Sequence, residues 1–427
     1  MARYWVGNGG NWNDTTHWSA SSGGATGASE PDNSQDVFFD ANSFSSAGQT
    51  VTVNTATATC RDMDWTGATN TPTLNFGAGG TRVLNIFGSL TFITGMILSD
   101  TGGDGNIEFE STSTGKAVTT AGREIVVDTK FLGDGGSWTL QDSLTLANDI
   151  SLTVGSNLSP ASILNTNGKT VTIGGTSTFV VNANATLTLG TSTISLSGNG
   201  TTKFSISGTL NMNSATINYA NVTSSEGAIK FNSGSVVDPG TSTIALNGTG
   251  GSADDFIAGI ENAMGSNLTL NNLTVSGSSN YLLGEMTFNA VTLNSGCTLV
   301  FDSFTANTYT ITTLTALGLS SSHIIIRPES GGGGEKTTLS ASSVSIQFVE
   351  VKDNIASGAA SPFTNSQGTD LGGNTNWNFT SFPAIPGALE INPKMKRVTT
   401  NKPLMERIRK EKSQDYLIID SKPRLYA

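Results

Sequence analysis

At 427 residues the chain could hold one elongated domain or two to three compact ones. With 50 Gly and only 13% charged residues, it favours the elongated form, and its Leu, Ile, Val and Phe content excludes a disordered polar chain. The net charge of −11 is divided unevenly: residues 391–427 carry ten Lys and Arg against four Asp and Glu, or +6, which leaves −17 on the rest and argues against nucleic-acid binding by the body.

In chain order, the segment 1–70 comes first. It is turn-rich and aromatic, with Tyr4, Trp5, Trp12, Trp18, Phe38, Phe39, Phe44 and Trp65. Large rings bury much area per residue, which suits a cap over the end of a longer domain. The functional alternative is a sugar platform, with Trp5, Trp12 and Trp18 as glycan contacts. The opening residues lack the apolar core and cleavage site of a signal peptide, and no apolar run reaches bilayer length.

From residue 71 to 380 the chain alternates short apolar strands with Gly, Asn and Ser turns. Between 137 and 231 the alternation acquires a period. Val171, Ile194 and Ile217 are 23 apart, as are Ile173, Leu196 and Tyr219. Leu187 and Leu210, Leu189 and Met212, and Ile206 and Ile229 share that offset, while Ile150 and Leu152 precede Val171 and Ile173 by 21. Several strands per repeat at this period indicate a β-solenoid whose equivalent residues stack into apolar ladders. The expected class is all-β, a right-handed parallel β-helix of roughly 12–15 coils, about 60–70 Å long at the strand spacing. A pair of antiparallel sandwiches would fit the strand lengths but not the shared offset. Gly248–Gly265 reads as an insertion, and strands resume at Leu299–Phe301, Ile324–Ile326 and Val344–Val351.

Residues 381–427 change character, with five prolines and no β-repeat. This basic C-terminal arm is expected to order against a partner through Lys394, Lys396, Arg397, Arg407, Arg409 and Lys410 and the apolar run Tyr416, Leu417, Ile418 and Ile419.

Chemistry is sparse. Cys60 and Cys297 match no metal spacing and read as small buried residues. His17 and His323 cannot build a metal site without carboxylates. Carboxylate pairs of the kind that cleave glycans are Asp62/Asp64, Asp100/Asp104, Glu108/Glu110 and Asp254/Asp255, and each is also what a solvent-facing strand or turn contains. Asp100–Asn106 reads as a Gly-rich turn, with an oxygen-ligand calcium loop as the alternative. No cofactor and no metal is expected.

The opening Tyr4-Trp5-Val6-Gly7-Asn8-Gly9-Gly10-Asn11-Trp12, then His17-Trp18-Ser19 and Asp36–Asp40, resembles the start of repetitive β-helix proteins encoded by tailed phages and shared with some bacterial surface proteins. Leu164–Ile173 is similar to an internal coil of that family, and Val349–Asp353 with Gly372–Phe379 to its closing coil. The resemblance implies a particle-surface or tail-associated protein and brings no catalytic motif. The expectation is a non-enzymatic bacteriophage virion protein, assembled in the host cytoplasm and released by lysis. Its expected partners are other virion proteins, sister subunits (as a homotrimer) and a host surface glycan, with no membrane. A bacterial surface adhesin and a glycan-cleaving tailspike are the alternatives.

Overall fold

The computed structural model describes residues 1–381 apart from 157–160, 199–201, 222–227, 250–256, 303–304 and 330–334. The described chain is a parallel β-helix. One face is a 14-stranded sheet running from Thr57–Cys60 to Thr369–Asp370. A second face is an 11-stranded sheet from Trp18–Ser19, which edges Arg3–Trp5, to Val236–Asp238. The third begins as a four-stranded sheet and continues as a 13-stranded one. Fourteen strands at the usual spacing make a tube about 60 Å long.

Among the pairings between named strands only that of Arg3–Trp5 with Trp18–Ser19 is antiparallel, which rules out the sandwich alternative. The reason is local. Alternating strands such as Ser137–Leu140 and Thr50–Val53 bury every second side chain, so each strand has one dry face and needs a neighbour above and below. The corners take left-handed backbone: Asn167 and Gly168 have φ of 52° and 70°. Two successive positive φ values are the demand of a tight primed turn, which Asn-Gly meets at low cost. At the corresponding corner three coils later, a Cβ on Gly240 would lie 2.2 Å from the Asn213 carbonyl oxygen, so only glycine fits.

The 23-residue ladder is real. Val171 pairs with Ile194 and Ile194 with Ile217; Ile173 pairs with Leu196 and Leu196 with Tyr219; Leu187 pairs with Leu210. Two expected stackings are corrected. Ile206 stands on Phe231 and Phe204 on Ile229, an offset of 25. Leu152 belongs to the 14-stranded face and pairs with Phe179, whereas Val171 pairs with Leu144 on another face. In the first case the coil is longer at a corner, and in the second the two strands stand on different faces; strand spacing reveals neither. The expected insertion Gly248–Gly265 contains a strand, Ala258–Ala263, paired on both sides.

After Val236–Asp238 the 11-stranded face ends, and the strands of the neighbouring face lengthen to 9 residues at Leu268–Ser276 and 11 at Thr337–Gln347. Each coil thereby passes from three short strands to one long and one short strand.

The interior is apolar and stacked. Phe109 lies on Phe131 with ring centroids 4.6 Å apart, and Phe179 on Phe204 at 4.7 Å. Buried polar groups are bonded both at corners and within strands: Thr166 Oγ1 meets Ser192 Oγ at 2.6 Å at a corner, and Asn365 Nδ2, in the strand Phe363–Ser366, donates to the Val349 carbonyl at 2.8 Å. The parallel ladder already includes Arg3–Trp5, Val37–Phe38 and Met63–Asp64, so the boundary expected at residue 70 does not divide it. The aromatic segment forms the first coils themselves. The basic C-terminal arm, including Lys394, Arg407 and Tyr416–Ile419, lies outside the described residues.

Candidate functional site

Trp5, Trp12 and Trp18 are not glycan contacts. All three are completely buried. Trp18 packs edge-on against both Trp5 and Trp12 at 5.0 Å, and its Nε1 donates to the Trp12 carbonyl at 2.6 Å. Trp5 stacks on His17 at 4.8 Å, and Phe39 stacks on Trp65 at 3.7 Å. A sugar-binding ring must offer a free face, and these faces are all occupied by one another. His17 Nδ1 lies 2.9 Å from the Val6 carbonyl oxygen, and Gly10 sits directly over its ring.

The expected carboxylates separate into structural and unexplained groups. Asp64 accepts from the Thr66 N–H and Asp62 from the Ser89 N–H, both at 2.7 Å, so Asp64 holds its own turn and Asp62 ties down the next coil. Asp36 forms an ion pair with Arg61, whose charge and hydrogen bonds hold its carboxyl below the usual range against the opposing effect of burial. Asp100 accepts three backbone N–H groups, from Gly102, Gly103 and Gly105, at 2.9–3.0 Å. That carboxylate is committed to its own turn, as the turn reading requires. Among the described residues no three His, Cys, Asp or Glu side chains converge as metal ligands. Asp254 and Asp255 lie outside the described residues.

Glu108 and Glu110 are different. Glu108 pairs with Lys130 on the next coil at 2.9 Å, both side chains being half-buried. Glu110, two positions on, has its carboxyl pushed up, first by burial and then by the charges of Glu108 and Asp134. His323 Nδ1 meets Glu350 Oε1 at 2.9 Å and belongs to the surface of another coil pair. Cys60 and Cys297 are buried free thiols.

One groove escapes the sequence reading. The 14-stranded face begins at Thr57–Cys60, because the first coil contributes no strand to it. The segment Glu30–Asn33 lies beside that edge and walls a cavity of about 320 Å³ over the outward side chains of Thr57, Thr59, Asn85 and Phe87. Thr59 and Asn85 are register partners, so their side chains stand abreast. The wall is anchored on both flanks: Arg3 Nε donates to the Ser29 carbonyl at 2.9 Å, and the Arg61 N–H donates to the Gln35 carbonyl at 2.7 Å. Pro31 is buried beneath it. These residues come from three separate stretches of chain, so no local motif joins them.

No helix among the described residues is long and apolar enough to cross a membrane. Comparison with known proteins leaves the site to be read from its own geometry: no family model, no curated protein and no solved structure matches the chain.

Proposed function

We propose that the chain is a non-enzymatic structural protein of a bacteriophage particle, a fibre, spike or decoration on head or tail, attached through its basic C-terminal arm. The observation that carries this reading is the uninterrupted parallel ladder, fourteen strands in one face over a dry apolar interior. Such a tube is a stiff spacer whose coils each lean on their neighbours. The opening and closing motifs add the family resemblance. The contrast between an acidic body and a +6 arm supplies attraction to a neighbouring acidic protein surface. Sister subunits, other virion proteins and a host surface glycan are the partners this reading implies. Immunogold electron microscopy of purified particles with antibody against the tube tests it. Gold on particles supports the proposal; gold on the bacterial surface with bare particles would favour the adhesin.

A glycan-cleaving tailspike is the second reading, and one feature favours it. Glu108 and Glu110 are alternate residues facing the same way, their Cα atoms about 6.6 Å apart by strand rise, and glycosidases work with a pair of carboxyl groups. The raised Glu110 would be the acid and Glu108 the base. The Glu108–Lys130 ion pair stands against it, because it occupies the base. Release of reducing ends from bacterial O-antigen polysaccharides, abolished by Glu110→Gln, would establish the enzyme. No release from those polysaccharides would remove it.

A further inference from the structure

The outward side of the 13-stranded face differs from the rest of the surface. Among its described strands only the first, Glu124–Ile125, contains a charged residue. From Leu144–Leu146 to Trp377–Thr380 no strand of this sheet holds Asp, Glu, Lys or Arg. Ser, Thr and Asn stand there instead, and they stack. Thr269, Thr287, Thr310 and Ser340 form one ladder, and Thr274, Thr292, Thr315 and Ser345 another. The 14-stranded face, built by the same coils, carries Glu108, Lys130, Lys230, Glu261, Arg327 and Glu350 in its strands. Charge is sorted off one side of the tube.

A surface that meets only water usually intersperses charges of both signs, which keeps copies apart. The body carries −17, and mutual repulsion of two copies is weakest across the face from which charge is missing. That face is large. Eleven uncharged strands lie along it, which at the usual spacing and strand rise makes it about 50 Å long and about 15–20 Å wide. Its area is then on the order of 800 Å², what each partner buries in a stable protein pair.

An apolar corner adjoins it. Leu317 ends the strand Thr308–Leu317 on the outward side and is 51% exposed, and Leu319 is 58% exposed. Half-buried Phe348 lies beside them, since a Cβ on the intervening Gly318 would stand 3.2 Å from the Phe348 Cβ. Exposed apolar side chains grouped at the rim of a large uncharged surface mark a contact.

The chemistry also selects the partner. A charged surface finds no counter-charge here, and an apolar one would bury hydroxyls and carboxamides without hydrogen bonds. Hydroxyls and carboxamides both donate and accept, so a surface made of them is complementary to a copy of itself.

We propose that the outward side of the 13-stranded face is where a second copy of this chain lies alongside the first. Ser, Thr and Asn pair across the contact, and Leu317 and Leu319 fill its rim. This names the contact between the sister subunits of the reading above but rests on the sheet alone, so the purified chain tests it whether or not particles carry the protein.

Light scattering coupled to size-exclusion chromatography of the full chain should give a mass of at least two chains of 44.1 kDa. The assembly should persist in about 1 M sodium chloride, which screens any contact between the basic arm and an acidic body. Thr310→Glu with Ser343→Glu puts charge at two exposed positions of the face, and Leu317→Ser with Leu319→Ser removes the apolar rim. Each pair should raise the dissociation constant at least about tenfold while the circular-dichroism spectrum stays that of the natural tube. Thr153→Glu, outward on the 14-stranded face, should leave the mass unchanged. A monomeric natural chain, dissociation by salt, or an assembly indifferent to both pairs overturns the proposal.

Discussion

The ammonium of Lys203 lies inside the tube and donates to the carbonyl oxygen of Ser177, 2.5 Å away. It also reaches the carbonyls of Gly175 at 2.9 Å and Gly174 at 3.3 Å, so one side chain ties down the corner of the preceding coil. Burial pushes its pKa down to about 8. The folded value thus lies below the unfolded one of about 10.4, and the unfolded chain binds the extra proton between them. Stability from this group is therefore fully present above about 10.4 and is lost as pH falls through 8. Replacing it with Met leaves the three carbonyls unpaired and costs about 2–4 kcal/mol. The gap in denaturation midpoint between the natural protein and Lys203→Met should widen from pH 7.5 to pH 10. A gap that stays constant would show that Lys203 does not titrate in this window.

Asn280 plays a comparable part further along the tube. It is buried, accepts from the Gly248 N–H at 2.8 Å, and donates to the carbonyls of Ser276, Gly277 and Thr298 at 2.6–3.3 Å. Leu has similar volume but serves none of these groups. Asn280→Leu should lower stability by about 2–4 kcal/mol in urea denaturation, and hydrogen exchange should quicken first around residues 276–298. An unchanged midpoint would mean that the corner repacks without the amide.

All six tryptophans are buried, Trp377 being the most accessible at 9%. Both thiols are buried and pushed up, Cys297 to about 12 and Cys60 further, chiefly by loss of hydration. Native protein should therefore resist acrylamide quenching and leave both cysteines unlabelled by a thiol reagent, while the denatured chain reacts at both. Prompt labelling of one native thiol would show that the coil containing it opens.

Much of this fold is legible in the amino-acid sequence. The alternation in Val171–Ile173, Thr193–Ser197 and Thr216–Asn221 fixes which side chains face inward, and the shared offset identifies their stacking. Where the reading fails, corners are responsible. Ile206 meets Phe231 because that coil is two residues longer, and the excess lies outside the strands where hydrophobic period carries no information. The three tryptophans mislead as glycan contacts because an isolated Trp among Gly and Asn has no partner residues to set its facing. The groove is invisible for a further reason. Thr59 and Asn85 are neighbours across coils, 26 positions apart, and nothing local joins either to Glu30.

The C-terminal arm gives a direct prediction. Deleting residues 391–427 removes ten basic and four acidic groups but no strand of the tube. The truncated chain should keep the circular-dichroism spectrum and melting temperature of the tube yet fail to enter particles in a complementation assay. Incorporation at the natural level would show that the arm is not the anchor.

Quantitative mass spectrometry of density-purified particles tests the central claim most directly. The account predicts that this chain is a stoichiometric component: hundreds of copies would place it as a head decoration, and a few to a few dozen as a tail or vertex appendage. Its absence from particles that contain the major capsid protein would contradict the account and leave a bacterial surface adhesin as the better reading of the same tube.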